Sequence, residues 1–270
     1  MLMEKCLACN STNCLKIINN ILQMYKCELC NAIFLEKEYD QEKNDNDKTY
    51  SKIKKMYVNQ TGKPIEEKIA NYYVEYLKRK TKMNFKSVLD IGAGYGHLLK
   101  KLKKLDIDVE GIESSQLKNK LAVVDNIKVA YFNESFELDG KYDLICFTQV
   151  LNYLRNTKQI LNNIKKNLND DGLVFIVTTN PESKYVIEGY TNTKEESYYA
   201  NMLFSRKNFE ELQDIGLKMV DYTPHREDVA LDYIKGNKII TFFKYRMNLK
   251  KAMVENSNGN ITMILLKKIN

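Results

Sequence analysis

The run Ser87-Val88-Leu89-Asp90-Ile91 reads as a strand, and glycine then occupies positions 92, 94 and 96 before a leucine-rich segment that starts at His97. A strand that breaks into a glycine turn and at once opens a helix confines a chain to folds built from β-α-β crossovers. The residues that follow keep to that alternation. "GHLLKKLKKL" carries leucines at 98, 99, 102 and 105 at helical spacing, "DVEGIE" is strand-like, "SQLKNKLAVV" helix-like and "IKVAYF" strand-like. Next come the strand "YDLICF", the helix "TKQILNNIKKNL" with Ile160, Leu161, Ile164 and Leu168 on one side, and the strand "GLVFIVTT". "SRKNFEELQDIG" reads as a helix with Ser205 as N-cap and Gly216 just past its end, and "LKMVDY" and "ITMILLKKI" close the pattern as strands. The expected fold class is α/β, a doubly wound, Rossmann-like, seven-stranded sheet. Its C-terminal edge should be antiparallel, because no crossover helix is evident between the last two strands. Upstream, "KPIEEKIANYYVEYLKRK" has Pro64 at its start, Glu66 and Glu67 in the first turn and Lys78, Arg79 and Lys80 in the last, so both ends suit a helix dipole. Ile65, Ile69, Tyr72, Tyr76 and Leu77 form its apolar face.

The glycine spacing narrows what lies against the loop. A dinucleotide fingerprint, G-x-G-x-x-G, needs glycine at position 97, which is His97. A P-loop is excluded because no G-K-[ST] follows. The observed order is D-x-G-x-G-x-G. The next strand ends at Glu113, where an acid is placed to accept hydrogen bonds from ribose hydroxyls. The plainer reading of Glu113 is a first-turn charge before "SSQLKNKL".

Cys6-x2-Cys9 and Cys27-x2-Cys30 are two CxxC pairs separated by 17 residues. Two tight turns offering two thiolates each suit the tetrahedral preference of zinc. A segment of roughly 35 residues buries too little apolar surface to fold alone, so a structural metal would supply the folding energy. With four thiolates the site is closed to substrate, and no catalytic role is assigned to it. Cys14 reads as a free thiol and Cys146, inside "YDLICF", as an inert buried one. The charge-mixed "LEKEYDQEKNDNDKTYSK" marks a boundary. The expected organisation is a zinc ribbon over 1–36, a linker over 37–63 and the α/β domain over 64–270.

The net charge of +7 is spread along the chain, densest in "LLKKLKKLDI" and "KYRMNLKKAM", and reads as solvated helix faces compatible with an acidic substrate. No apolar run approaches the roughly 20 residues of a membrane span. "MLMEKCLACN" lacks a secretory layout, so no membrane association and a cytoplasmic location are expected.

"VLDIGAGYGHLLKKL", "VEGIESS", "YDLICFTQVLNYL" and "LNDDGLVFIVTTN" resemble, in order and spacing, the successive motifs of class I S-adenosylmethionine-dependent methyltransferases, over residues 65 to 222. The resemblance implies that Asp90, Gly92, Ala93 and Gly94 lie along the methionine part of S-adenosylmethionine. It implies that Glu113 binds the ribose, that Thr148 and Gln149 approach the sulfonium and that Asn133 contacts the adenine. With the four-cysteine ribbon, the chain is further similar to methyltransferases that act on sugars, sugar nucleotides and related small molecules. Many of these carry "LEH" after the strand that is "YDLICF" here, and a second histidine before a late "FS". This chain has Asn152 and Tyr153 at the first place and Ala200 near the second, while keeping Phe204-Ser205.

An oxygen acceptor of high pKa wants a base nearby, whereas an anionic acceptor needs none. Tyr153 is the first candidate for orienting or deprotonating an acceptor, and His225 in "YTPHREDVA", expected in a loop after the sixth strand, is the second. His97 reads as a packing residue, and Tyr190, Tyr198 and Tyr199 belong to a segment expected to cover the acceptor. The leading expectation is O-methylation of a small sugar-like, nucleotide-linked or phosphate-type metabolite. Two other readings are an RNA methyltransferase of the ribosomal guanine type and a non-catalytic cofactor-binding scaffold. RNA binding would further require a continuous basic stripe.

Overall fold

The computed structural model describes residues 5–18, 23–35, 65–183, 186, 200–225 and 259–269. The linker expected over 37–63, Pro64, and Tyr190, Tyr198 and Tyr199 lie outside the described residues.

Seven strands form the main sheet: β4 (Ser87–Ile91), β5 (Asp108–Glu113), β6 (Ile127–Val129), β7 (Tyr142–Thr148), β8 (Leu168–Thr179), β10 (Leu217–His225) and β11 (Ile261–Lys268). Their spatial order is β10-β11-β8-β7-β4-β5-β6. Strands β8, β7, β4, β5 and β6 are mutually parallel, and β11 runs antiparallel to both β8 and β10. The antiparallel edge read from the sequence is therefore present. The strand order reverses between β4 and β7, where crevices open at the carboxyl ends of such sheets.

Alternation along the central strands sorts their side chains onto two covered faces, so β7 and β8 read as near-continuous apolar runs. Leu89, Ile91, Ile145, Phe147, Val174 and Ile176 face one core, shared with Ile160, Leu161 and Ile164 of helix α4 (Thr157–Ile164). Val88, Leu144, Cys146, Phe175 and Val177 face the other. That second core is closed by α1 (Ile65–Lys80) and α2 (His97–Lys103) through Tyr72, Tyr73, Tyr76, Leu77, Leu98, Leu99 and Leu102. Each large apolar side chain buried in this way contributes roughly 1.5–3 kcal/mol. The Tyr76 ring stacks on Phe175 at 5.5 Å, and its hydroxyl donates to Asp221 of β10 at 2.6 Å.

Two elements are shorter than the sequence suggests. The helix in "SQLKNKLAVV" is only α3 (Gln116–Lys120), because Val123 donates its N–H to the Tyr95 carbonyl at 2.9 Å and Val124 lies against Gly96. The strand in "IKVAYF" is only Ile127–Val129, after which Phe132 turns inward against Phe136 and Phe147. In the helix of "SRKNFEELQDIG", α5 (Arg206–Glu210) follows Ser205 as N-cap, and Gly216 ends the succeeding 3-10 turn at φ 81°.

The N-terminal segment forms an antiparallel meander of β1 (Cys14–Ile18), β2 (Gln23–Cys27) and β3 (Ile33–Leu35). A fourth strand completes this sheet from far downstream: β9 (Met202–Leu203) pairs with β3, with Ile33 opposite Leu203 and Phe34 opposite Met202. Cys6, Cys27, Cys30 and Phe34 share a buried cluster with Phe204 and Phe209. The ribbon and the α/β domain thus have a common core. Among the described residues, no helix is long and apolar enough to cross a membrane.

Candidate active site and metal centre

The glycine loop sits at the carboxyl end of β4, beside the point where strand order reverses. Gly92 and Ala93 donate their N–H groups to the Ile112 carbonyl at 2.8 and 3.0 Å, which ties the loop to the end of β5. Its three glycines have left-handed φ values of 76°, 57° and 77°. Such a φ costs a side-chain-bearing residue about 1–2 kcal/mol. They differ in their surroundings. A Cβ on Gly92 would lie 2.7 Å from a Val150 methyl, and one on Gly96 would lie 2.7 Å from a Val124 methyl. A Cβ on Gly94 would meet nothing within 4 Å among the described residues. Gly92 and Gly96 are therefore glycine for packing, whereas Gly94 borders open space.

Glu113 is buried at the end of β5, and its Oε2 accepts the Gly94 N–H at 2.8 Å while its Oε1 accepts the Ser115 N–H at 2.9 Å. Lys118 lies 3.8 Å from the same carboxylate. Each carboxylate oxygen keeps a lone pair for a further donor. Asp90, at 1% exposure, is one residue short of the strand end, and its Oδ1 has no hydrogen-bond partner among the described residues. Burial, with the Glu113 charge second, pushes its carboxyl up to about 8. A buried carboxyl with spare acceptor capacity, an open left-handed glycine and a second carboxylate bonded to that glycine make a cradle for a cationic, hydroxyl-bearing ligand. These residues fit the amino-acid and ribose parts of S-adenosylmethionine.

Across the reversal point, Thr148 ends β7 and Gln149 adopts φ 60°, with its N–H bonded to the Val177 carbonyl at 2.8 Å. A non-glycine residue held there is a strained position of the kind that clusters at functional sites. The 3-10 turn Leu151–Tyr153 follows. Asn152 is buried with its Oδ1 unpartnered among the described residues. Tyr153, the residue its sequence position suggests, follows it in the same turn. The signal for Asn152, a polar residue inside an otherwise apolar turn, becomes legible only with its burial known. Tyr153 is half-buried against the cluster that includes Met24, Ile33, Leu35 and Leu203, so the turn leans on the ribbon.

The remaining expectations fare differently. Asn133 uses its Oδ1 to accept from the Ser135 N–H and hydroxyl at 3.0 and 2.8 Å, so that oxygen is engaged in its own turn. His225 is not in a loop: it ends strand β10 at 3% exposure, with its ring 5.3 Å from that of Tyr72. Burial lowers it to about 4, leaving a neutral imidazole whose Nδ1 is unpartnered among the described residues. Pairing with β11 draws "TPH" into the sheet. Its strand end lies on the same carboxyl edge as Thr148 but three strand spacings from β7, roughly 14 Å. His97 opens α2 as a buried packing residue beside Tyr95.

The four cysteines of the two CxxC pairs converge. All four Sγ atoms lie within 4.8 Å of one another, with Cys6–Cys30 and Cys9–Cys27 each at 3.6 Å. A tetrahedron with Zn–S bonds of about 2.3 Å has edges of about 3.8 Å. The donor set and spacing therefore fit zinc. The hydrogen bond between Cys6 and Cys30 holds Cys30 low and, with burial, pushes Cys6 up, as two thiols sharing one proton do. Cys14 stays outside the group and donates to the Ser11 carbonyl at 3.5 Å. A cavity of about 100 Å³ lies beside this centre, between Leu7 and Ala8 of the first pair and Leu161, Phe204, Asn208 and Leu212. Neither Gly94, Glu113 nor Gln149 lines it, so it is distinct from the cradle.

A family model described as "Methyltransferase domain" matches residues 63–222. The ubiquinone biosynthesis O-methyltransferase of Rickettsia typhi is 24% identical over 155 residues, 53% of this chain and 63% of the relative. That of Rickettsia bellii is 26% identical over 160 residues, 54% of this chain and 66% of the relative. The chain thus spans less than two thirds of these curated relatives. Among solved structures, the plantazolicin methyltransferase BpumL, in complex with a monoazolic desmethylPZN analog and SAH, superposes with a TM-score of 0.56 at 17% identity, covering 85% of this chain and 92% of that one. A SAM-dependent methyltransferase from Archaeoglobus fulgidus superposes with a TM-score of 0.56 at 16% identity, covering 81% and 99%. The two likenesses establish a shared fold.

Proposed function

This chain belongs to the methyltransferase-domain family, and we propose that it methylates an oxygen of a small sugar-like, nucleotide-linked or phosphate-type acceptor with S-adenosylmethionine as donor. The observation that carries the reading is the open, left-handed Gly94 held by Glu113, with the buried Asp90 whose Oδ1 is unpartnered among the described residues. When bound, S-adenosylmethionine supplies a methyl group on a positively charged sulfur.

The residues of the chain bind, orient and exclude water. Glu113 accepts from the ribose hydroxyls through its remaining lone pairs, and Asp90 gains a reason to ionise once a cationic group lies near it. Thr148, Gln149 and Asn152 wall the side where the acceptor oxygen attacks. These residues would hold the acceptor oxygen in line with the methyl–sulfur bond that transfer breaks as the oxygen–carbon bond forms, an alignment that can supply a large share of the rate. Tyr153 positions the acceptor at the turn. His225 has the protonation state of a base, but a value near 4 makes it a weak one, and an anionic acceptor oxygen needs neither. Oxygen as the methylated atom is supported by the names of the Rickettsia relatives. The four-cysteine centre is read as structural zinc.

The test is an acceptor screen with methyl-labelled S-adenosylmethionine across nucleotide sugars, phosphate-type metabolites and bulk RNA. Label in a small acceptor is the expected result. Label in RNA alone would overturn the acceptor class.

A further inference from the structure

We propose that the segment Asn201–Asn208 is a joint through which metal occupancy of the four-cysteine centre positions the turn Leu151–Tyr153, with Asn208 as positioning residue at the metal end and Asn201 at the turn end. The proposal rests on the metal and methyl-transfer readings above.

At the metal end, the α/β domain grips the second CxxC pair. Ser205 Oγ donates to the Cys30 carbonyl, and Lys207 Nζ donates to the Leu29 carbonyl at 3.0 Å. Asn208 is buried, and its Oδ1 accepts the Ser205 N–H at 2.9 Å. Its Oδ1 also lies 3.3 Å from the Ser205 Oγ, so Asn208 fixes the residue whose hydroxyl grips the Cys30 carbonyl. Side chains that hold the backbone around a metal ligand act from the outer shell to orient that ligand.

The middle of the joint is the β3–β9 pairing, extended by the Leu35 N–H donating to the Asn201 carbonyl at 3.1 Å. At the other end, Asn201 Nδ2 donates to the Tyr153 carbonyl at 2.9 Å. The turn's own backbone bonds are Tyr153 N–H to the Val150 carbonyl at 2.9 Å and Leu154 N–H to the Leu151 carbonyl at 3.2 Å. The glycine cradle is tied to β5 instead. Three strands of five, five and three residues hold their shape poorly without the metal. Metal release therefore loosens the acceptor side and spares the cofactor side.

Hydrogen exchange followed by mass spectrometry on the full chain reads this without an acceptor. Chelating the zinc should speed exchange at residues 151–154 about fivefold to tenfold, the loss of one hydrogen bond, while residues 88–96 and 108–113 stay unchanged. Asn201→Ala should give the same acceleration with zinc retained. Asn208→Ala removes the acceptor for the Ser205 N–H, so it should hasten zinc release to a chelator several-fold while residues 108–113 keep their exchange rate. Unchanged exchange at 151–154 on chelation, zinc release from Asn208→Ala at the unsubstituted rate, or a chain that takes up no metal would each overturn the joint. Failure of SAH to bind the zinc-loaded protein would count against the methyl-transfer reading alone, since the exchange result does not depend on it.

Discussion

Asp90 is a carboxyl group shut off from water, with its Oδ1 unpartnered among the described residues and Glu113 adding a negative charge nearby. Its ordinary value of 3.8 rises to about 8, so the folded chain holds a proton that the unfolded chain has released. Stability from this group is full below 3.8, falls as pH rises toward 8 and then levels off. Denaturant unfolding between pH 5 and 9 should show Asp90→Asn gaining on the unsubstituted protein as pH rises, with the gap levelling above about 8. A gap independent of pH would contradict the buried, protonated state. Such a group is legible in the sequence only as an acid before a glycine. Its burial, and hence its proton, comes from the packing of strands on either side.

At the scale of elements, the glycine loop separates structural from ligand-facing roles. Gly92→Ala should cost roughly 2–4 kcal/mol in unfolding experiments, from the left-handed φ plus overpacking against Val150. Gly94→Ala should cost only about 1–2 kcal/mol, since its Cβ enters open space, yet weaken SAH binding. Equal stability costs would undo the distinction. The bounds of β4 and β5, the onset of α2 and the Ser205 and Gly216 caps were all legible, because spacing and turn chemistry specify them locally. The two-residue β9 was not: "ML" becomes a strand only because β3 lies beside it. The same holds for His225, whose sequence surroundings read as a loop until β11 pairs with it. Glu113 and the four cysteines were legible from spacing, whereas Asn152 and Asn208 acquire meaning only through burial.

Over the whole molecule, the order β10-β11-β8-β7-β4-β5-β6 brings the glycine loop, Glu113, Gln149 and the Leu151–Tyr153 turn to one edge of one sheet. The ribbon, sharing a core with the α/β domain, reaches the Leu151–Tyr153 turn at that edge through β9 and Asn201. On the proposed reading, this edge binds the methyl donor through Gly94, Glu113 and Asp90. The most direct measurement is calorimetric titration of SAH into the zinc-replete protein and into Glu113→Ala. One SAH per chain is expected, with affinity falling about 10- to 100-fold in the variant as charge-assisted hydrogen bonds to the ribose are lost. No binding to the unsubstituted protein, or equal affinity in Glu113→Ala, would contradict it.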